Sequence, residues 1–151
     1  MKNIDKILSD SPFYISSIEE MTDLGELLGS HLESGDSIAL IGDLGAGKTH
    51  FTKGVVKGVK SFDPVSSPTF PIVHEYHSGT LPILHFDFYR LESPAELDAL
   101  GWDEYVDSGG AIIAEWADKF PDWMPEGTLW LHFRVTSPTE RTIYLSRSPE
   151  L

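Results

Sequence analysis

The chain has no cysteine among its 151 residues. Disulfides and thiolate metal sites are thereby excluded, and the composition suits a reducing compartment. Asparagine is almost as scarce. Asn3 is the single one and stands near the N-terminus, so the guanine-reading Asn-Lys-x-Asp of Ras-type GTPases is missing. Positive charge is thin as well: 11 Lys and Arg stand against 24 Asp and Glu, for a net charge of -13. Broad contact with a nucleic-acid backbone rests on Lys and Arg, so it is not expected of this chain by itself. The arginines are Arg90, Arg134, Arg141 and Arg147, too few for the Arg-rich lid that small-molecule kinases close over a second substrate. No run approaches the roughly 20 apolar residues of a membrane-spanning helix. The N-terminal "MKNIDKILSDSPFYI" has no long apolar core and reads as neither signal peptide nor span.

Hydrophobic residues make up 40% of the chain, too many for a disordered one. The length predicts one domain over residues 1–151. The acids crowd between Asp87 and Glu126, where only Arg90 and Lys119 oppose them. Such a face is either solvated surface or a dock for a basic partner.

Apolar patterning predicts alternating strands and helices. "FYIS" (Phe13 to Ser16) reads as a short strand. Ile18, Met21, Leu24, Leu27, Leu28 and Leu32 recur at helical spacing between Ser17 and Leu32. "DSIALIG" has little alternation and suits a strand buried on both faces. A helix is expected over Lys48 to Lys60, with Phe51, Val55 and Val59 inward and Lys53, Lys57 and Lys60 on a solvated face. "PIVHEYH" and "LPILHFDFY" read as two strands joined by a short connection, and "GGAIIAEWA" as a further buried strand. Ser93, Pro94 and Glu96 have the pattern of a capping box. "TLWLHFRV" alternates and is expected to form a hairpin with "RTIYLSR". Trp102, Trp123 and Trp130 read as packing residues. The six scattered histidines do not suggest a zinc site. The expected fold is α/β, a P-loop NTPase-type three-layer arrangement whose mixed sheet has a parallel core and a C-terminal antiparallel hairpin.

One motif carries chemistry. Gly42, Asp43, Leu44, Gly45, Ala46, Gly47, Lys48 and Thr49 match G-x-x-x-x-G-K-[ST]. Glycines let backbone N–H groups wrap an oxyanion, and the following helix presents its positive end to phosphate. Lys48 adds a full charge near the outer phosphates, and the Thr49 hydroxyl is placed for Mg²⁺. A P-loop also needs a carboxylate at the end of a neighbouring apolar strand. Asp87 closes "ILHFD" and Glu115 closes "AIIAE", and the division of labour between metal binding and water orientation stays open. Thr69, in "SSPTF", stands where switch-type NTPases place a hydroxyl near the γ-phosphate. Arg90 is either a transition-state cation or a partner within the acidic region. These residues fit a compact ATPase with a protein partner; a metabolite kinase and a nucleotide-sensing binding module remain as alternatives.

"GDLGAGKT", "SPTF", "HFDFYRL" and "AEW", in this order, resemble the TsaE family, also called YjeE, from about Ser17 to Trp116. The resemblance implies a bacterial cytoplasmic ATPase using ATP and Mg²⁺. It implies a part in forming N6-threonylcarbamoyladenosine at position 37 of tRNAs that read codons starting with A. The family acts beside a TsaB–TsaD pair, which uses the threonylcarbamoyl-adenylate made by TsaC. Its ATP hydrolysis is weak alone and is stimulated by that pair, and tRNA is met only through the partners. The protein alone is expected to be a monomer or a weak oligomer. By the same resemblance Lys48, Thr69, Asp87 and Glu115 are the catalytic set, and Thr49, Glu115 and Asp87 are the metal ligands. Asp43 to His50 and Trp116 surround the nucleotide. His50 departs from the Thr or Ser frequent in the family, and little effect is expected.

Overall fold

A computed structural model of the chain describes residues 4–43, 45–66 and 72–150. Leu44 and Thr69 lie outside the described residues. Seven strands form one sheet in the order β1-β7-β6-β2-β5-β4-β3. Their ranges are β1 Phe13–Ile15, β2 Ser37–Ile41, β3 Val73–Tyr76, β4 Ile83–Asp87, β5 Ala111–Glu115, β6 Leu129–Val135 and β7 Arg141–Ser146. Strands β6, β2, β5 and β4 are parallel, while β7, β1 and β3 attach antiparallel. This is the expected mixed sheet with its parallel core and C-terminal hairpin. The FYIS strand finds a partner that the sequence does not name: β1 pairs with β7.

The helices are α1 Ile4–Ser9, α2 Ile18–Ser30, α3 Lys48–Gly58, α4 Pro94–Ala99 and α5 Trp102–Val106. Helix α3 stops before the expected Lys60, because Lys60 turns left-handed at φ 62 and the Ser61 N–H donates back to the Val56 carbonyl. The capping box expected at Ser93 does not form. Ser93 stands at the N-cap of α4 without a side-chain bond, since its backbone carbonyl takes the Glu96 N–H. Glu96 accepts from the Glu92 N–H instead. A side-chain cap does form at α2, where Ser17 Oγ accepts from the Glu20 N–H at 3.0 Å, and Glu20 reaches back one residue beyond the cap to accept from the Ser16 N–H at 2.9 Å. A cap of this kind stabilises a helix by about 1 kcal/mol.

The sheet is covered on both faces, which explains why β2, β4 and β5 read as unbroken apolar runs. One core holds Leu28, Phe51, Val55, Ile83, Ile113 and Leu131 beneath α2 and α3. The other holds Leu84, Phe86, Phe88, Trp102, Ile112 and Trp130. Strand β6 alternates as expected, with Leu129, Leu131 and Phe133 in the first core and Trp130 in the second. Trp102 is a packing residue, 2% exposed, with Nε1 donating to the Trp123 carbonyl at 3.1 Å. Lys57 makes an exposed 3.5 Å ion pair with Glu26, on the solvated face expected of it.

Helices α2 and α3 meet backbone to backbone. A Cβ added at Gly54 would lie 2.0 Å from the Thr22 carbonyl oxygen, and one at Gly25 would lie 2.1 Å from that of Phe51. Gly29 faces Val55 and Gly58 faces Glu26 in the same way. The pairs Gly25–Phe51 and Gly29–Val55 advance together along both chains, so the helices run parallel. Their N-termini therefore stand side by side at the end of the parallel strands where β2 leads into α3.

Candidate functional site

The turn between β2 and α3 is shaped by two glycines. Gly45 and Gly47 have φ of +80° and +100°, a region L side chains avoid. Gly47 is also hemmed in, since a Cβ there would sit 2.7 Å from Met21 Cε. Gly42 leaves room for β6, where Phe133 lies under the turn. Between the glycines the Ala46 N–H closes a turn on the Asp43 carbonyl. Helix α3 then begins at Lys48, with Thr49 and His50 half-buried in its first turn. The loop thus ends on a helix N-terminus, the geometry that favours an oxyanion.

Lys48 is 5% exposed. Its Nζ donates to the Gly42 carbonyl at 2.7 Å and lies 4.6 Å from the centre of the Trp116 ring. Burial holds its pKa below the usual lysine value, against the opposing pull of Glu115 and Asp87. Trp116 reaches this position through strain: its backbone is left-handed, φ 59, while its N–H still donates to the Leu40 carbonyl. A bulky residue held there marks a site where the surroundings dictate the conformation. The Tyr89 ring packs on its indole at 5.0 Å.

The strand order decides where the two acids fall. Strand β5 adjoins β2, so Glu115 stands opposite Leu40, and Asp87 on β4 stands opposite Glu115. Both side chains are buried, at 4% and 8% exposure. Directly opposed residues share a sheet face, so the acids flank each other on the α3 side. Asp87 Oδ1 accepts the Tyr89 N–H at 2.9 Å. Burial nevertheless pushes the Asp87 carboxyl above its ordinary pKa, and the Glu115 charge adds to the rise. Such a pair suits a divalent cation, which would relieve both charges. Among the described residues no group of three or more His, Asp or Glu could hold a metal. A pair of carboxylates is the number that Mg²⁺ takes when phosphate and water complete its shell.

The raised pKa of Asp87 gives a stability prediction. The fold disfavours the ionised form, so stability is greatest below the unfolded carboxylate pKa and falls as pH rises through the folded one. Asp87→Asn keeps the acceptor for Tyr89 and removes the charge. In thermal melts without ligand it should be more stable than the parent at pH 7, the gain disappearing below about pH 4. An unchanged or lower melting temperature at pH 7 would contradict this.

Three features went unread in the sequence. A cleft of about 370 Å³ adjoins the loop, lined by Ser17, Ile18, Gly47, His50, Pro138 and Arg141. Arg141 crosses from β7 to donate to the Gly45 carbonyl at 3.2 Å. His85 lies behind Glu115, with Nε2 2.7 Å from Oε2. The position of His85, two residues before Asp87 on a strand, was a usable signal; the cleft joins distant segments and left none. Lys119 proves to be a tie: its Nζ donates to the carbonyls of Tyr89 and Leu91 at 2.8 and 2.6 Å. Arg90 is exposed in the turn after β4.

A glycine-shaped loop between a buried parallel strand and a helix, with an inward lysine at its end, defines a nucleotide-binding α/β protein of the P-loop class. The family model described as "Threonylcarbamoyl adenosine biosynthesis protein TsaE" matches residues 15–143. The chain belongs to the TsaE family, whose members take part in tRNA threonylcarbamoyladenosine biosynthesis. It is 40% identical to the tRNA threonylcarbamoyladenosine biosynthesis protein TsaE of Bacillus subtilis over 83% of this chain and 78% of that one. With the TsaE protein of Nostoc it shares 38% identity over 78% and 76%. The crystal structure of YdiB from Bacillus subtilis is 31% identical, superposes with a TM-score of 0.75, and is matched over 91% of this chain and 86% of that one.

Proposed function

We propose that the chain is an ATPase that works in threonylcarbamoyladenosine formation beside a TsaB–TsaD-type pair, slow alone and stimulated by that pair. The observation that carries the reading is the meeting of the phosphate cradle with Lys48 and the Glu115–Asp87 pair at one end of the parallel strands. In this reading the N–H groups of Gly45, Gly47, Lys48 and Thr49 and the Lys48 ammonium hold the phosphates. Thr49 and Glu115 hold Mg²⁺, which supplies charge neutralisation at the phosphate oxygens. Asp87, one strand further from the loop, orients the attacking water. Thr69 keeps the role the motif suggests for it. The adenosine end occupies the cleft beside His50 and Arg141; the cleft's size falls within the range of small-molecule sites.

Slow turnover alone follows from where the cations are engaged. Lys48 is bonded to the Gly42 carbonyl, Lys119 to two carbonyls of the 89–91 turn, and Arg141 to Gly45. A partner that supplies a cation or orders water would accelerate hydrolysis, as an arginine finger does by about 10³–10⁵ in other P-loop enzymes. The acidic 87–126 region suits a basic partner surface, with tRNA reached only through the partners and the whole acting in the cytoplasm. Among the described residues no helix is long and apolar enough to cross a membrane.

The test is the rate of phosphate release from ATP with and without a purified TsaB–TsaD pair. A rise of at least tenfold is expected. Equal rates would overturn the partner-stimulated reading.

A further inference from the structure

We propose that Tyr76 and His85 form a buried relay that fixes the Glu115 carboxylate for Mg²⁺, making both positioning residues. The proposal rests on the reading of Glu115 as a Mg²⁺ ligand. It begins from sheet register. Tyr76 on β3 stands opposite Ile83, and His85 is two residues further along β4. His85 stands opposite Ile113, and Glu115 is two residues further along β5. Each step crosses one strand and advances two residues, so the three side chains share a face and lie on one diagonal. The diagonal runs from the edge strand to the strand beside the phosphate loop.

The contacts follow that line. Tyr76 Oη lies 3.1 Å from His85 Nδ1, and His85 Nε2 lies 2.7 Å from Glu115 Oε2. Exposures are 3% for Tyr76, 0% for His85 and 4% for Glu115. A carboxylate only accepts, so Nε2 carries the proton toward Glu115; in the neutral ring Nδ1 then accepts from the Tyr76 hydroxyl. The phenol suits a permanent donor: burial pushes its pKa up to about 12. With the ring neutral, the chain of donors has one direction, from Tyr76 to Glu115.

The relay constrains the carboxylate in two ways. It takes one oxygen, Oε2, leaving Oε1 as the oxygen for a cation. It also holds the carboxyl plane against rotation, since both partners are buried and fixed by the sheet. Partners behind a metal ligand are commonly worth 10–100-fold in metal affinity. A purely structural polar cluster would stabilise the fold without touching that affinity.

Calorimetric Mg²⁺ titrations of the full chain with a non-hydrolysable ATP analogue separate the two roles. The variants are Tyr76→Phe, His85→Gln, His85→Leu and Glu115→Gln, each also measured for analogue binding in EDTA and for melting temperature. His85→Leu should raise the half-saturating Mg²⁺ concentration about 10- to 100-fold, with binding in EDTA unchanged. His85→Gln, whose amide can still donate to Oε2, should lie nearer the parent, and Tyr76→Phe should shift in the same direction by a smaller factor. If His85→Leu fails to fold, Tyr76→Phe decides, since it deletes one hydroxyl. Lowered melting temperatures with the parental Mg²⁺ dependence would overturn the relay while leaving Glu115 in place. A parental titration for Glu115→Gln would remove the metal role itself, and the relay with it.

Discussion

Lys48→Met binds ATP about 30- to 1,000-fold more weakly than the parent, a loss of roughly 2–4 kcal/mol, and still folds. The ammonium is a charged donor in a buried setting, and its contact with phosphate is worth more than a neutral hydrogen bond. In the ligand-free protein the same ammonium gains little. It is desolvated, which lowers its pKa against the pull of Glu115 and Asp87, and the contacts it makes are with one carbonyl and the Trp116 ring. Methionine fills the stem volume and removes the charge. The Gly42 carbonyl loses its donor, at about 1 kcal/mol, while relief of a buried charge offsets that loss. The melting temperature should therefore stay within a few degrees as affinity collapses. Titration calorimetry beside a thermal melt checks both halves; parental affinity would remove Lys48 from the phosphate site.

Gly54→Ala should be among the most damaging of the glycine-to-alanine changes, since its added Cβ makes the tightest approach among the described glycines. Its Cβ would meet the Thr22 carbonyl oxygen at 2.0 Å and the Glu26 nitrogen at 2.9 Å. Both are helix backbone, so neither can rotate aside. The helices must part along their whole contact, the kind of overpacking that costs about 1–3 kcal/mol or more. Alanine recovers up to about 1 kcal/mol through helix propensity. A net loss of about 2 kcal/mol would lower the melting temperature by roughly 4–8 °C in a chain of this size. ATP affinity should fall with it, because displacing α3 displaces Lys48 and Thr49. A parental melting curve would show that the two helices are not locked.

The central part of the fold was legible because its signals are local. An unalternating apolar run marks a strand covered on both faces, and β2, β4 and β5 obey that rule. The glycine loop was legible because its signal is local: Gly45 and Gly47 take a backbone that other residues avoid, and Lys48 turns inward at the start of α3, each at the spacing of the motif. The α2–α3 contact escaped because its signal is two pairs of glycines, Gly25 and Gly29 against Gly54 and Gly58, whose meaning depends on which helices touch. His85 escaped for a related reason. Its spacing from Asp87 marked a shared face, but its partner is a carboxylate on the next strand, which the sequence does not place beside it. The order β2-β5-β4 was equally hidden, and it is the order that sets Glu115 beside the loop and Asp87 one strand away. The Ser93 cap misled because its pattern is necessary and not sufficient: the backbone carbonyl competed for the same N–H.

The parallel glycine seam makes α2 and α3 a single solid piece. Its blunt end carries Ser17 and Ile18 on one side and Gly47 to His50 on the other, so two walls of the cleft have no freedom to separate. On the proposal that the adenosine end lies in this cleft, a nucleotide would be admitted by the opposite wall, the hairpin tip around Pro138. That tip is latched to the loop by the exposed bond from Arg141 to Gly45, and unfastening it demands little. The site is a vice with one fixed jaw and one light one.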